Sequence, residues 1–178
     1  LFRSKTFYKY RTLYAFKSIF KMSFANSLIN YLEEQLKSQD YLFVNAALHI
    51  IIDNNLSCSE ILIKNSVIKN YLDFYNEFQV LALLNISEEN YVFLRDLFKK
   101  SENKKENICI CQEILSEILI EKYSLHHAQE LFDLFSVSKY PKLRIKAIYL
   151  AIQQNLDYTS LKNDSDKKVQ KILQTINL

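Results

Sequence analysis

Residues 38–56 and 138–156 read as two copies of one unit, and no other feature constrains the fold of this chain as strongly. At an offset of 100 residues, Ser38 falls on Ser138, Phe43 on Leu143, Ala47 on Ala147, Leu48 on Ile148, Ile52 on Ile152, and Asn55-Leu56 on Asn155-Leu156. That offset equals three periods of roughly 33 residues, a length at which self-similarity marks stacked helical repeats. A third, weaker copy sits 26 residues further on, with Asp164 on Ser138, Val169 on Leu143 and Leu173 on Ala147. So short an offset predicts that the helix before this last copy is reduced to a turn.

Composition points the same way. The chain has 178 residues, no glycine, no tryptophan and one proline. Without glycine, no residue takes a positive φ cheaply, so phosphate-cradling loops, dinucleotide fingerprints and nucleophile elbows are absent. With one proline, almost nothing interrupts a helix. Helical spacing of apolar residues predicts helices over residues 5–22, 26–37, 41–52, 61–75 (one helix or two short ones), 76–86, 91–100, 107–121 and 125–135, then the repeated helix after Pro141 and a last one in the tail. Asn26 or Ser27, Ser57 and Ser87 are the expected caps, and residues 101–106 read as a loop. Ala82, 35 residues after Ala47, and Cys111 are expected at the small-residue position of their own repeats.

Tyr140-Pro141-Lys142-Leu143-Arg144-Ile145-Lys146-Ala147-Ile148 resembles the turn, proline, aliphatic-arginine and alanine series of the HEAT repeat. Weaker versions stand at residues 40–48 and 166–173, where Val44 and Gln170 replace the arginine and the proline is missing. The resemblance implies an all-α fold, a right-handed α-solenoid of roughly five antiparallel helix pairs in one repeat domain over residues 1–178. It is also similar, more loosely, to bacterial HEAT-repeat proteins with a membrane anchor ahead of the repeats. Because the chain starts Leu1-Phe2-Arg3, the expectation is an excised part of a longer protein.

Charge is unevenly placed. Arg3, Lys5, Lys9, Arg11, Lys17 and Lys21 precede the first acid, Glu33, and alternate with aromatic residues from Phe2 to Phe24. Six of the 23 basic residues lie there, which leaves 17 against 20 acidic ones in the remainder. Three readings compete for this start: a capping first repeat with solvated lysines, a segment just inside a membrane, or a contact for an anionic partner such as nucleic acid. No run of 18 apolar residues is present to span a bilayer, so the expected location is cytoplasmic, either free or held at the inner face of a membrane by an upstream segment.

Candidates for chemistry are few. Cys109 and Cys111 stand about 200° apart on a helix and cannot share an ion, and Cys58 is alone. All three are expected as small core residues in a reducing compartment. His126 and His127 face different directions, and His49 falls in an apolar run. Glu33-Glu34, Glu88-Glu89 and Asp164 with Asp166 sit where carboxylates cap or solvate helices. No nucleophile, base and oxyanion donor come together, so neither a catalytic site nor a metal or cofactor site is expected. The function expected is a non-catalytic scaffold or adaptor that binds a protein partner on one face of the helix array, by analogy of fold. The alternative is a HEAT-like DNA glycosylase; it needs a continuous basic groove, which a cluster at one end does not supply.

Overall fold

The computed structural model of the chain describes residues 25–70, 75–101 and 108–176. The expected first helix, its six basic residues and most of the expected 101–106 loop lie outside them. Among the described residues there are seven α-helices, two 3₁₀ segments and no strand: α1 (Ala25–Leu36), α2 (Tyr41–Asn54), α3 (Glu60–Asn70), a 3₁₀ segment (Tyr75–Leu83), α4 (Glu88–Ser101), α5 (Ile108–Ser136), α6 (Pro141–Gln154), a 3₁₀ turn (Thr159–Leu161) and α7 (Lys167–Ile176). The chain forms two compact units that divide after Leu84.

The repeated stretches, α2 and α6, have the same local construction. The Ser38 hydroxyl accepts the Asp40 N–H at 3.1 Å, and the Ser138 hydroxyl accepts the Tyr140 N–H at 3.2 Å. Asp40 then caps α2 by accepting the Leu42 N–H at 3.0 Å, while α6 has Pro141 in its first turn, where the missing N–H costs nothing. Both helices end on an asparagine in the left-handed region, Asn55 (φ 50°, ψ 48°) and Asn155 (φ 54°, ψ 41°). In each case the next leucine N–H closes back on the helix, Leu56 to the Ile51 carbonyl and Leu156 to the Ala151 carbonyl, which satisfies carbonyls that a helix end leaves open. With no glycine available, asparagine is the residue that takes this conformation at least cost.

The tail repeats the turn. The Asp164 carboxylate accepts the Asp166 N–H at 2.8 Å, and Asp166 accepts the Lys168 N–H at 2.8 Å. Gln170, which stands in the place of Arg144, donates to the Asp164 carbonyl at 2.7 Å as Arg144 Nη1 donates to the Ser138 carbonyl at 2.7 Å. The helix ahead of this copy is indeed only a turn, Thr159–Leu161.

In the first unit, α1 buries Leu28, Leu32 and Leu36 along one face. The Glu33 carboxylate accepts the Ser59 N–H at 2.7 Å, and the Ser66 hydroxyl reaches the Leu36 carbonyl at 3.3 Å. These contacts ascend both helices together, so α1 and α3 run the same way. Helix α2 is buried nearly all round (Val44, Ala46, Ala47, Leu48, Ile50, Ile51) because it packs on α1, on α3 and on the 3₁₀ segment.

In the second unit, Glu88 meets His127, Tyr91 meets Glu130 and Phe98 meets Phe135. Helix α4 therefore runs alongside the last third of α5 in the same direction. Lys142 pairs with Glu113 at 2.7 Å and Lys146 with Glu117 at 3.1 Å, two rungs one helical turn apart, so the first part of α5 and α6 also run in the same direction. Two layers result: α4 with residues 128–136, and residues 108–126 with α6 and, next to it, α7. The core between them holds Leu94, Phe98, Leu115, Leu119, Phe135, Leu143, Ala147 and Leu150.

Five features differ from the sequence expectation. Helix α1 starts at Ala25, which puts Asn26 and Ser27 inside its first turn, and α3 starts at Glu60, so Ser59 and not Ser57 precedes it. Residues 75–83 are a 3₁₀ segment whose Val80 and Leu81 are buried and whose Ala82 is exposed, so Ala82 does not hold the small-residue position that Ala47 and Ala147 hold. Ser101 is the buried last residue of α4 and not the start of a loop. The helix expected to stop at 121 continues to a kink at His127 (φ −125°, ψ 24°), because nothing at 122–126 breaks it and both Tyr123 and His127 pack on Tyr91.

The two asparagine caps carry a prediction. Asn155→Ala should lower stability by about 1 kcal/mol, since alanine has no means of easing the left-handed conformation. Asn155→Gly should leave it unchanged or slightly raised. Urea midpoints at constant m-value measure both, and equal midpoints for the two variants would show that the conformation is not strained.

Candidate functional site

Helix α6 is apolar on two opposite faces. Leu143, Ala147, Leu150 and Ala151 point into the core and are buried. On the far side, Ile145 is half-buried while Tyr149 is 52% and Ile152 40% exposed. With Lys142 these residues follow a 3-4-3 spacing, which lines them up along the helix as the a and d positions of a coiled-coil seam do. An amphipathic helix normally presents polar groups there. In α2 the corresponding positions are Asn45, His49 and Ile52, none of them exposed, so the open apolar stripe belongs to α6.

The neighbours of α6 hold it rigidly. On one side Lys142 and Lys146 meet Glu113 and Glu117, and the Lys146 ammonium also donates to the Glu113 carbonyl and to the Ser116 hydroxyl at 2.8 Å. On the other side the Arg144 guanidinium grips Asp164 through Nε and Nη2, the second bond being 3.0 Å long. The Asp164 side chain is only 5% exposed. The hydrogen bond from Arg144 holds its carboxyl below the usual range, against the opposing effect of burial and with help from the Asp166 N–H. The same bond raises the Arg144 pKa. Beyond this pair α7 exposes Lys167, Lys168 and Lys171.

Among the described residues, a dense group of titratable side chains lies elsewhere, between α4 and the kink of α5. Tyr91 is buried, its hydroxyl donates to Glu130 at 2.7 Å, and His127 stacks on its ring with centroids 3.6 Å apart. His127 Nε2 lies 3.2 Å from a Glu88 carboxylate oxygen, and Arg95 Nη1 is 3.7 Å from Glu130. Burial, and then the bond to Glu130, push the Tyr91 hydroxyl far above its ordinary range. A buried phenol that holds its proton this firmly is neither nucleophile nor base at neutral pH; the cluster locks the kink against α4.

The six basic residues expected as contacts (Arg3, Lys5, Lys9, Arg11, Lys17 and Lys21) lie outside the described residues. Cys111 is buried and Cys58 half-buried. Among the described residues, no group of histidine, cysteine and carboxylate side chains is placed to hold a metal ion, and no helix is long and apolar enough to cross a membrane. His49 is half-buried, and His126 is exposed while its neighbour His127 turns inward. The stripe on α6 is hidden in the sequence because Ile152 aligns with Ile52 and so reads as core. A single charge total for everything after residue 22 conceals the lysines of α7. From Lys139 onward there are eight basic residues against Asp157, Asp164 and Asp166. In comparisons with known proteins the chain matches no family model, no curated protein and no solved structure.

The ion pair and the half-buried thiol are each open to test. Asp164→Asn leaves the enclosed Arg144 without its counter-charge and should cost about 3 kcal/mol at pH 7. Because the folded pKa of Asp164 is depressed, its contribution is present above the unfolded value of about 3.9 and is lost as pH falls through the folded one. Urea titrations from pH 7 to pH 2 should show the two proteins converging in acid; a gap that stays constant with pH would refute the ion pair as its source. Separately, burial, and then nearby Glu33, push the Cys58 thiol up to about 11. Its alkylation at pH 8 should lag well behind that of a free thiol and accelerate with pH until that value, as mass spectrometry of labelled peptides would show.

Proposed function

We propose that this chain is a non-catalytic, HEAT-like helical repeat that binds a protein partner on the outward face of the layer containing α6. The observation that carries this reading is the apolar stripe Ile145, Tyr149, Ile152 on a helix whose opposite face already belongs to the core. Apolar side chains at regular spacing gain by being covered, and the hydrogen bonds and ion pairs around α6 leave it no freedom to turn the stripe inward. Supporting the repeat are the turn before each of three helices, built in the same way at residues 38–42, 138–142 and 164–168, and the common direction of neighbouring helices within each layer. Stacked helix pairs of this kind make a continuous face from equivalent helices, and that face is where such arrays bind.

A photo-crosslinking amino acid placed at Tyr149, and in a second protein at exposed Asp133 in the other layer, tests the reading in the native cells of the protein. Discrete protein adducts should form from position 149 and not from position 133. Adducts from 133 alone would move the binding surface to the other layer, and adducts from neither would remove the protein-binding reading of this face.

A further inference from the structure

We infer that the partner segment seated on this face is an amphipathic α-helix with an apolar seam and an acidic edge, and that the edge lies over α7. The inference rests on the reading of the α6 face as a protein-binding surface and specifies what binds there.

Two observations choose the occupant. The first is spacing: the 3-4-3 series Lys142, Ile145, Tyr149, Ile152 matches the ridge of another helix, whose own side chains recur every three or four residues. An extended peptide, with alternate side chains on one side, would find no matching register. The second is charge. Equivalent positions at the 26-residue offset put Lys168 and Lys171 where α6 has Lys142 and Ile145, and Val169 and Leu173 are buried as Leu143 and Ala147 are. The lysines therefore stand on the outward side, next to the seam. Lys167, Lys168 and Lys171 are in no ion pair among the described residues.

On the opposite border the charges are acidic. Glu113, Glu117 and Glu121 follow one another at four-residue spacing along α5, and the first two are matched by Lys142 and Lys146. The face thus runs from acidic through apolar to basic, and most of its uncompensated charge, three lysines against Glu121, is on the basic border. An anionic lipid surface or a nucleic acid would meet exposed Glu121, the one glutamate of the three without a lysine from α6, beside the seam. A helix carrying acid along one edge alone meets complementary charge away from that carboxylate. Such charges set orientation and partner choice more than affinity.

The test uses the full chain and two synthetic helices of about three heptads, both with leucine at a and d, one edged with glutamate and one with lysine. The glutamate-edged helix should bind, and the lysine-edged one should bind at least about tenfold more weakly. Tyr149→Lys should abolish binding, and Lys168→Glu with Lys171→Glu should reverse the preference; all these positions are exposed, and circular dichroism checks that each variant is folded. Equal binding of both helices, lost in Tyr149→Lys, would keep the face and overturn the acidic partner. Binding indifferent to Tyr149→Lys would overturn both. Should neither helix bind, the proposal falls, and co-sedimentation with phosphatidylserine vesicles or retardation of duplex DNA would then name a lipid surface or a nucleic acid as the occupant; the crosslinks at position 149 judge the protein-binding reading independently.

Discussion

The second unit depends on the guanidinium of Arg144. A charge as enclosed as this one is costly unless its donors are satisfied, and here each partner is itself part of a hydrogen-bonded turn at the start of a helix. Nη1 fixes the Ser138 carbonyl, at the turn before α6; Nε and Nη2 fix Asp164, whose carboxylate also accepts the Asp166 N–H at the turn before α7. One side chain thereby couples the start of two successive helices. Gln170 fills the equivalent place in α7 and reaches the Lys162 and Asp164 carbonyls. A neutral amide is sufficient there because both acceptors are carbonyls and no carboxylate has to be neutralised.

That coupling explains why the outward faces are ordered. If each helix begins from the same turn, its equivalent residues leave the layer in the same direction, and side-by-side helices present their differences as parallel stripes. The apolar residues of α6 and the lysines of α7 are those differences, and the glutamates of α5 border them through the ion pairs to Lys142 and Lys146. The ion pairs from Lys142 and Lys146 keep the first border nearly neutral, so the electrostatic asymmetry of the face comes from α7. Meanwhile the Tyr91, His127 and Glu130 cluster secures the other layer at the kink, where a helix with no proline or glycine still has to change direction. Its position away from the stripe separates what holds the unit together from what the unit presents.

Much of this order is legible in the sequence. The 100-residue offset pairs α2 with α6, and their C-caps agree, both left-handed asparagines; Pro141 and Ser87 mark true helix starts because capping is local chemistry. The all-helical class follows from the same pattern. What depends on contacts distant in sequence is not legible. Residues 76–86 have helical spacing, yet the structure has there a 3₁₀ segment, Tyr75–Leu83, packed on α2, since propensity yields to packing. The break expected near 121–125 falls instead at His127 because its stacking partner, Tyr91, lies 36 residues earlier. Gln170 looks like a loss of the repeat arginine, whereas its amide makes the same kind of bond. Apolar residues announce burial in a sequence, and nothing local distinguishes Ile145 and Tyr149, which the chain leaves partly open, from Leu143 and Ala147, which it covers itself.

The stripe is also small, and its size bounds what it can do. Tyr149 and Ile152 are already about half covered, so covering the rest would contribute only about 1 kcal/mol each, and the half-buried Ile145 less. Binding at a micromolar Kd needs about 8 kcal/mol net, after several more are lost to restricted motion. Apolar contact alone therefore leaves the face weak. The exposed lysines of α7 are the groups at hand to raise the rate of encounter and select among partners, because their charge acts across the approach distance while the seam acts only at contact. On the proposed reading, such a face would discriminate first by charge and then by spacing. It suits a partner that must be held reversibly, and additional affinity would have to come from a second contact on the same partner.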